Sequence, residues 1–302
     1  MAAPPRLFDR LLHRLRLARA APRHEDFLKA RVASDLVQRL AAVNRRFPVA
    51  VDLGARTGAF ARALAGSEAA AKVDWLAQAD LSEAMLAGTS GPRLVADEGR
   101  LPLAEGGVDL IVSSLALHWI DDLVGALIQI RRALKPDGLF LGALCGGATL
   151  TELRQCLTEA EVAETGGAGP RVSPFLDAFD GAALLQRAGF ALPVADVDTV
   201  SVRYDHPLRL MADLRAMGET NVLLDRPRTA LTRRVLDRAS QLYFERFADA
   251  DGRITATFEV ITLTGWSPHP DQQKPLAPGS ARMRLADALG AVEKNAGEAA
   301  GG

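Results

Sequence analysis

Residues 49–58 read Val49-Ala50-Val51-Asp52-Leu53-Gly54-Ala55-Arg56-Thr57-Gly58, and this stretch decides the fold. A short apolar run that ends in an acid and a glycine predicts a buried strand entering a tight turn. Phe60 and Leu64 follow four residues apart, which is the spacing of a helix packed on a sheet. A strand, a turn and a helix in this order predict the first half of a βαβ unit.

The same alternation continues to residue 144. Further strands are predicted at 73–80, 93–96, 108–114 and 139–144, and helices at 83–87 and 122–134. The run at 108–114 is apolar enough to be buried on both faces, as central parallel strands are. Five strands alternating with helices predict an α/β fold with a doubly wound, mostly parallel sheet.

The chain divides into three predicted parts. Residues 1–46 form an N-terminal helical lead-in, residues 47–265 form the main domain with helical or loop insertions at about 146–178 and 205–250, and residues 266–302 form a flexible, polar tail. The first part is rich in arginine, like a mitochondrial presequence. Because Leu7, Leu11, Leu12 and Leu15 have helical spacing, we favour an amphipathic helix that buries these leucines and solvates its basic face.

Composition limits the partners. The 302 residues are 48% hydrophobic and 24% charged, with a formal net charge of -1, so the chain lacks the basic field that attracts nucleic acid. No apolar run approaches the ~20 residues that span a bilayer, and we predict no transmembrane segment. Two isolated cysteines, Cys145 and Cys156, are predicted to be small core residues.

Acidic residues follow three consecutive predicted strands. Asp52, Asp80 and the pair Asp97-Glu98 each stand where a strand ends. The carboxyl ends of parallel strands share one edge of a sheet, and open α/β sheets bind ligands in that crevice. Each feature also has a structural interpretation: the glycine turn as geometry alone, Asp80 as a helix cap, and Asp97-Glu98 as solvated charges.

These motifs, with Leu101-Pro102-Leu103, residues 108–114 and Leu134-Lys135-Pro136-Asp137-Gly138, resemble the class I S-adenosylmethionine (SAM)-dependent methyltransferases. The resemblance implies a seven-stranded Rossmann-like sheet and SAM as cofactor. It places Asp52 and Gly54 beside the methionine part of SAM, Asp80 at the ribose and Asp97 at the adenine. The other cofactor-binding residues it implies are Leu53, Ala55, Gly58, Leu81, Glu98 and Ser114.

Arg56 departs from that family pattern, which has a glycine between the two outer glycines of the turn. A side chain at this position crowds the turn or points outward. An arginine could also meet a carboxylate, including the carboxylate of the cofactor.

A second resemblance covers almost the whole chain. Phe8-Asp9-Arg10, residues 114–119, Glu152-Leu153-Arg154, residues 172–175 and residues 217–221 resemble the methyltransferase-fold assembly factor of mitochondrial respiratory complex I and its bacterial relatives. That group is associated with arginine hydroxylation on a complex I subunit, which implies a protein partner. The central motifs also resemble, less completely, those of the malonyl-acyl carrier protein O-methyltransferase of biotin synthesis.

Several residues near the predicted crevice are candidates for chemistry. His118 could act as a base near neutral pH, although a packing role is equally compatible with its position. Trp119, Arg171 and Glu219 are candidate substrate contacts, and their segments could equally be plain connectors. The five histidines are scattered, so the sequence predicts no metal site.

Three function classes follow: a SAM-dependent methyltransferase, a hydroxylase on the same fold linked to complex I assembly, and a binding factor without catalysis. The second is favoured by the longer resemblance. The predicted location is cytoplasmic in a bacterium and the mitochondrial matrix in a eukaryote.

Overall fold

A mixed β-sheet forms the centre of the computed structural model, which describes residues 6–177 and 180–272 with residues 283, 287 and 290. Its strands are β1 (Val49–Leu53), β2 (Trp75–Asp80), β3 (Arg93–Val95), β4 (Val108–Ser114), β5 (Leu134–Cys145), β6 (Ala191–Tyr204) and β7 (Ile254–Trp266).

The seven strands that are described lie in the order β3-β2-β1-β4-β5-β7-β6. The neighbours from β3 to β5 pair in parallel, and β7 pairs antiparallel with both β5 and β6. The parallel half brings the carboxyl ends of β1, β2, β3 and β4 to one edge. The predicted doubly wound, mostly parallel seven-stranded sheet is confirmed.

Helices cover both faces of the sheet. They are α1 (Arg10–Ala20), α2 (Phe27–Ala42), α3 (Ala59–Ala65), α4 (Glu83–Leu86), α5 (Leu123–Ala133), α6 (Thr151–Thr165), α7 (Gly181–Arg187), α8 (Pro207–Ala216) and α9 (Arg233–Phe247). One core lies between the sheet and residues of α2, α3, α6 and α9, and a second core joins the other face to α5 and α7. Alternate residues of β4 divide between them, because Leu110 belongs to the first and Ile111 to the second.

Element ends differ from the sequence prediction by a few residues. Helix α9 begins at Arg233, because the Thr232 side chain accepts a hydrogen bond from the Val235 N–H and caps it. Strand β5 begins at Leu134, earlier than the predicted strand at 139–144, and runs through Pro136. Residues 135–138 are thus part of an irregular strand start, where the register with β4 shifts.

The described residues up to Pro268 form one compact unit, and the described residues from His269 onwards belong to another. Helices α1 and α2 belong to the first unit, together with the main domain. Most of the predicted tail at 266–302 falls outside the described residues. No helix in the described ranges is long and apolar enough to cross a bilayer.

Helix α1 buries the face opposite to the one predicted. Leu7, Leu11 and Leu15 are 44%, 59% and 45% exposed, whereas Leu17 is fully buried. The expected burial is therefore wrong for these three leucines, whereas Leu12 packs against the cluster of Phe8 and Trp119, and Arg14 and Arg19 are exposed as expected. The physical reason is a set of ion pairs. Arg10 points inward to the carboxylates of Asp97 and Glu98, which follow β3, and these contacts fix the rotation of the helix about its axis.

Strand β6 lies at one edge of the sheet, with β7 as its neighbour. Its side chains are largely exposed or half-buried. Arg39 of α2 makes a bidentate pair with Asp196 of β6, with both N–O distances at 2.7 Å. This pair fastens the edge strand to the helix that covers the sheet.

The central strand provides a test of the fold. Leu110 on β4 is 0% exposed, so Leu110→Ala should lower the free energy of unfolding by about 2–5 kcal/mol. Leu11→Ala, at an exposed leucine, is the control and should change it by less than about 0.5 kcal/mol. Equilibrium denaturation measures both, and equal effects would contradict the assigned core.

Candidate active site

The turn after β1 is shaped by glycine. Gly54 has φ +75°, and a Cβ added there would lie 2.2 Å from the Cβ of Ala116. The N–H groups of Gly54 and Ala55 donate to the Ala79 carbonyl at 2.8 and 2.9 Å, which ties the turn to β2. Gly58, with φ +82°, is the N-cap residue that precedes α3. The backbone therefore needs glycine at the two outer positions of the turn.

Asp52 lies at the end of β1 and is completely buried. Neither carboxylate oxygen has a hydrogen-bond partner among the described residues. Burial raises the pKa of Asp52 to about 7, although the nearby charge of Lys29 lowers it in part. Asp52 therefore has unused acceptor oxygens that are not exposed to solvent.

Arg56 points inward and meets the acid that ends β2. Its Nη1 lies 2.8 Å from Oδ2 of Asp80, and its backbone N–H donates to the same oxygen at 2.9 Å. The other oxygen of Asp80 accepts from the Ser82 N–H at 2.8 Å. Arg56 holds this position although its φ of +53° is uncommon for a residue with a side chain.

The same guanidinium faces two further carboxylates. Arg56 Nη1 is 3.7 Å from Glu98 Oε1, and Nη2 is 3.7 Å from Glu219 Oε1. Burial alone would lower the pKa of Arg56, but the charges of these neighbours and of Asp80 raise it. Arg56 is a permanent cation at the point where the predicted acids converge.

Arg10 reaches the remaining acids from α1. Its Nη2 lies 2.8 Å from Asp97 Oδ1 and also contacts Glu98 Oε2. Its Nη1 donates to the carbonyl oxygen of Trp119 at 3.2 Å. Burial alone would raise the pKa of Asp97, but the charge and hydrogen bond of Arg10 lower it.

Lys29 of α2 completes the set of cations. Its Nζ donates to the carbonyl oxygen of Gly54 at 2.8 Å and to that of Ser114. Burial, and then the charge of Arg56, lower the pKa of Lys29 to about 8. The ammonium thus bridges the glycine turn and the end of β4.

Glu219 follows α8 and meets residues that follow β4. Its Oε2 accepts from Trp119 Nε1 and lies 3.4 Å from His118 Nε2. Burial alone would raise the pKa of Glu219, but the hydrogen bond and charge of His118, with Arg56, lower it to about 2. Glu219 is therefore ionised at neutral pH, and the contact positions His118 against it.

A cavity of about 860 Å³ opens beside these residues. Arg56, Lys29, His118, Trp119, Arg171 and Glu219 all contribute to its wall. Asp52, Asp80, Asp97 and Glu98 are absent from the described residues that line it. Arg56 and Lys29 therefore form the part of the wall nearest to the buried acids.

The cavity wall is apolar with an excess of positive charge. Its apolar part includes Leu28, Leu153, Leu157, Leu214, Met217 and Phe258. Its cations are Arg16, Arg19, Lys29, Arg56, Arg171, Arg215 and Arg226, against the carboxylates of Glu25 and Glu219. Arg16 bonds to neutral groups, Thr220 Oγ1 at 2.9 Å and the Asn221 carbonyl. Such a wall favours ligands that combine apolar and acidic groups.

The other predicted site residues have local structural contacts. Arg171 pairs with Glu161 on α6, and Leu81 packs with Leu17 of α1. The Leu53 carbonyl accepts from Ser113 Oγ at 2.8 Å, whereas Ser114 Oγ is buried without a partner among the described groups. No cluster of three His, Cys, Asp or Glu side chains within the described ranges could hold a metal ion.

The chain is similar to known proteins over part or most of its length. A family model described as a methyltransferase domain matches residues 51–142. The human arginine-hydroxylase NDUFAF5, mitochondrial, is 39% identical over 290 residues, which are 93% of this chain and 83% of that protein. The chain belongs to the NDUFAF5 family. The chain is also similar to the malonyl-[acyl-carrier protein] O-methyltransferase of Xylella fastidiosa (strain M23), which is 36% identical over 270 residues, 87% of this chain and 89% of that protein.

A solved structure from Bacillus halodurans C-125 has the same fold. It is 16% identical, with a TM-score of 0.54, and the match covers 78% of this chain and all of that one. The sheet is therefore the Rossmann-like sheet of the class I methyltransferases. The chain is an enzyme of the SAM-dependent methyltransferase superfamily, as the sequence predicted.

In this structure the acceptor groups at the strand ends are not arranged to bind SAM. The ammonium, ribose hydroxyls and adenine amino group of SAM are hydrogen-bond donors and need free acceptors. Asp52 offers such oxygens, but Asp80 is bonded to Arg56, and Asp97 and Glu98 are bonded to Arg10. Lys29 occupies the carbonyl oxygen of Gly54.

Sequence reasoning missed Arg10 and Lys29 as site residues. Arg10 had a signal, because it belongs to the quoted Phe8-Asp9-Arg10 motif. No sequence signal identified Lys29, since it lies within helix α2 and belongs to none of the quoted motifs. Both reach the site through tertiary packing, which local spacing does not report.

The lowered pKa of Glu219 gives a pH prediction. Because its folded pKa of about 2 lies below the ordinary glutamate value of 4.5, its ionisation stabilises the fold above pH 4.5, and this contribution is lost as the pH falls towards 2. Glu219→Gln should therefore lower the free energy of unfolding by about 3 kcal/mol at pH 7, and by progressively less below pH 4.5. Urea denaturation across this range measures the difference. Glu68→Gln, at an exposed position, is the control, and a pH-independent loss in Glu219→Gln would contradict the prediction.

Proposed function

We propose that this chain acts on a protein, hydroxylating an arginine side chain of a respiratory complex I subunit during assembly of that complex. The supporting observation is the carboxylate of Glu219 at the cavity wall, together with 39% identity to the arginine hydroxylase over most of both chains. The partner, the reaction and the cytoplasmic or matrix location remain predictions.

Glu219 is suited to receive a guanidinium. Its Oε2 is fixed by Trp119, and its Oε1 lies 3.7 Å from Arg56 Nη2, which is longer than a hydrogen bond. Oε1 thus keeps lone pairs for a substrate N–H, and an arginine bonded there would be oriented by a planar, charge-assisted contact. The apolar wall would cover the methylene groups of the same side chain.

Hydroxylation replaces a C–H bond of the arginine with C–OH. With dioxygen as oxidant, one oxygen atom enters that bond and the other leaves as water, which consumes two electrons and two protons from an external reductant. The role we assign to the residues of this chain is to bind the arginine, orient it and exclude water.

SAM is the cofactor that the methyltransferase domain supports. Asp52, Asp80 and Asp97 are the residues that would hold it by family resemblance, and SAM would supply an activated methyl group. Because Arg56, Arg10 and Lys29 engage the acceptors, no step of the proposed hydroxylation is assigned to SAM.

A second candidate is methylation of an acidic acyl group, as the name of the malonyl-[acyl-carrier protein] relatives implies for those proteins. The excess of arginines around the cavity favours this alternative, since a carboxylate is attracted where a guanidinium meets repulsion. The two functions differ in product: one oxygen atom is added to an arginine, or one CH₂ group to an acyl chain.

Co-expression with the complex I subunits of the same organism tests the proposal. Peptide mass spectrometry should find an arginine heavier by one oxygen atom. Glu219→Gln should lower the modified fraction at least about tenfold, because loss of a charge-assisted contact costs about 1.5–3 kcal/mol. Glu159→Gln, on the outer surface of α6, is the matched control. An unmodified arginine with the wild-type chain, or a methylated acyl carrier in its place, would reject hydroxylation.

A further inference from the structure

Three acceptor positions of the cofactor site are engaged by cations that belong to the chain, whereas Asp52 keeps both oxygens unpaired among the described residues. An adenosyl cofactor with an amino-acid end presents donors at three places: an ammonium, a ribose diol and an adenine amino group. Besides Asp52, the acceptors that the fold offers at the strand ends are the Gly54 carbonyl, Asp80 and the Asp97-Glu98 pair. Each of the three carries a different basic side chain in this structure.

Lys29 stands in the place of an ammonium. Its Nζ bonds to the Gly54 carbonyl at 2.8 Å and to the Ser114 carbonyl, between the glycine turn and the end of β4. A ligand ammonium that approached the same carbonyl oxygens would meet the charge of Lys29.

Arg56 stands in the place of a ribose. Its side chain is 2% exposed, and its Nη1 bonds to Asp80 at 2.8 Å. The backbone conformation at φ +53° directs the side chain inward, where a glycine at this position would leave open space. Arg56 also forms part of the cavity wall, so that it stands between the cavity and Asp80.

Arg10 stands in the place of an adenine amino group, because it bonds to both Asp97 and Glu98. It belongs to α1, so this contact also holds the helix. A ligand that takes these acids must release Arg10, and with it part of the attachment of α1.

We propose that Arg56 sets the affinity of this chain for its cofactor: with Lys29 and Arg10 it fills the acceptors of the site, and SAM binds only by displacing these cations. The inference rests on the proposed SAM site. Only the small fraction of molecules in which the cations have moved can bind SAM, and the apparent affinity is lower than the affinity of those molecules in proportion to that fraction.

Calorimetric titration of the full chain with SAM, and with the more stable S-adenosylhomocysteine, tests this inference. Arg56→Gly should bind each at least about tenfold more tightly than the wild type. Arg56→Lys keeps a cation and should bind like the wild type. Arg45→Gly is the matched control, because it removes a loop arginine that pairs with Asp137 away from the cavity. Equal affinity of wild type and Arg56→Gly overturns the proposal.

A second measurement applies if Arg56→Gly does not fold. Hydrogen exchange of the wild-type chain at saturating SAM should become faster at residues 10–20, because Arg10 loses its partners. Unchanged exchange there overturns the proposal. If neither wild type nor a folded Arg56→Gly binds SAM, this proposal fails, while arginine hydroxylation is judged separately by the mass of the substrate peptide.

Discussion

The buried ion pair between Arg56 and Asp80 organises the candidate site. It joins the turn after β1 to the end of β2, and the same guanidinium lies near Glu98 and Glu219. One side chain therefore links segments that are far apart along the chain. A buried pair is not strong evidence of stability, but removal of one partner leaves an uncompensated charge. The positions of the surrounding acids are thus fixed by charge balance.

Much of the fold could be predicted because it depends on local patterns. The run at 49–58 gave the strand, the turn and the following helix, and β4 was identified from its apolar residues. The convergence of Asp52, Asp80 and Asp97 could also be anticipated, because parallel strands end at one edge. The contacts that cationic side chains make at these strand ends could not be anticipated. Arg10 reaches Asp97 across 87 residues of sequence and Lys29 reaches the Gly54 carbonyl across 25, and spacing carries no information on such contacts.

Two groups in the site are held at a cost in stability. The pKa of Asp52 is raised to about 7 and that of Lys29 is lowered to about 8, so the fold disfavours the charged form of each. Asp52 opposes folding increasingly as the pH rises from its unfolded pKa towards 7, and Lys29 opposes it increasingly as the pH falls from 10.5 towards about 8. Buried ionisable groups with such shifts are found preferentially at functional sites. Their presence together beside the glycine turn marks this region as the candidate site for binding or catalysis.

The edge strand β6 has a consequence for association between copies of the chain. It is 14 residues long, and Val194 and Val197 are about half exposed, so its free edge could serve as a template for another strand. Asp196 and Asp198 stand beside these valines and pair with Arg39 and Arg31 of α2, so charged groups of both signs accompany this strand. Pro193 lies where the register with β7 shifts. Charge and proline both oppose edge-to-edge addition. Aggregation through this edge is therefore restrained.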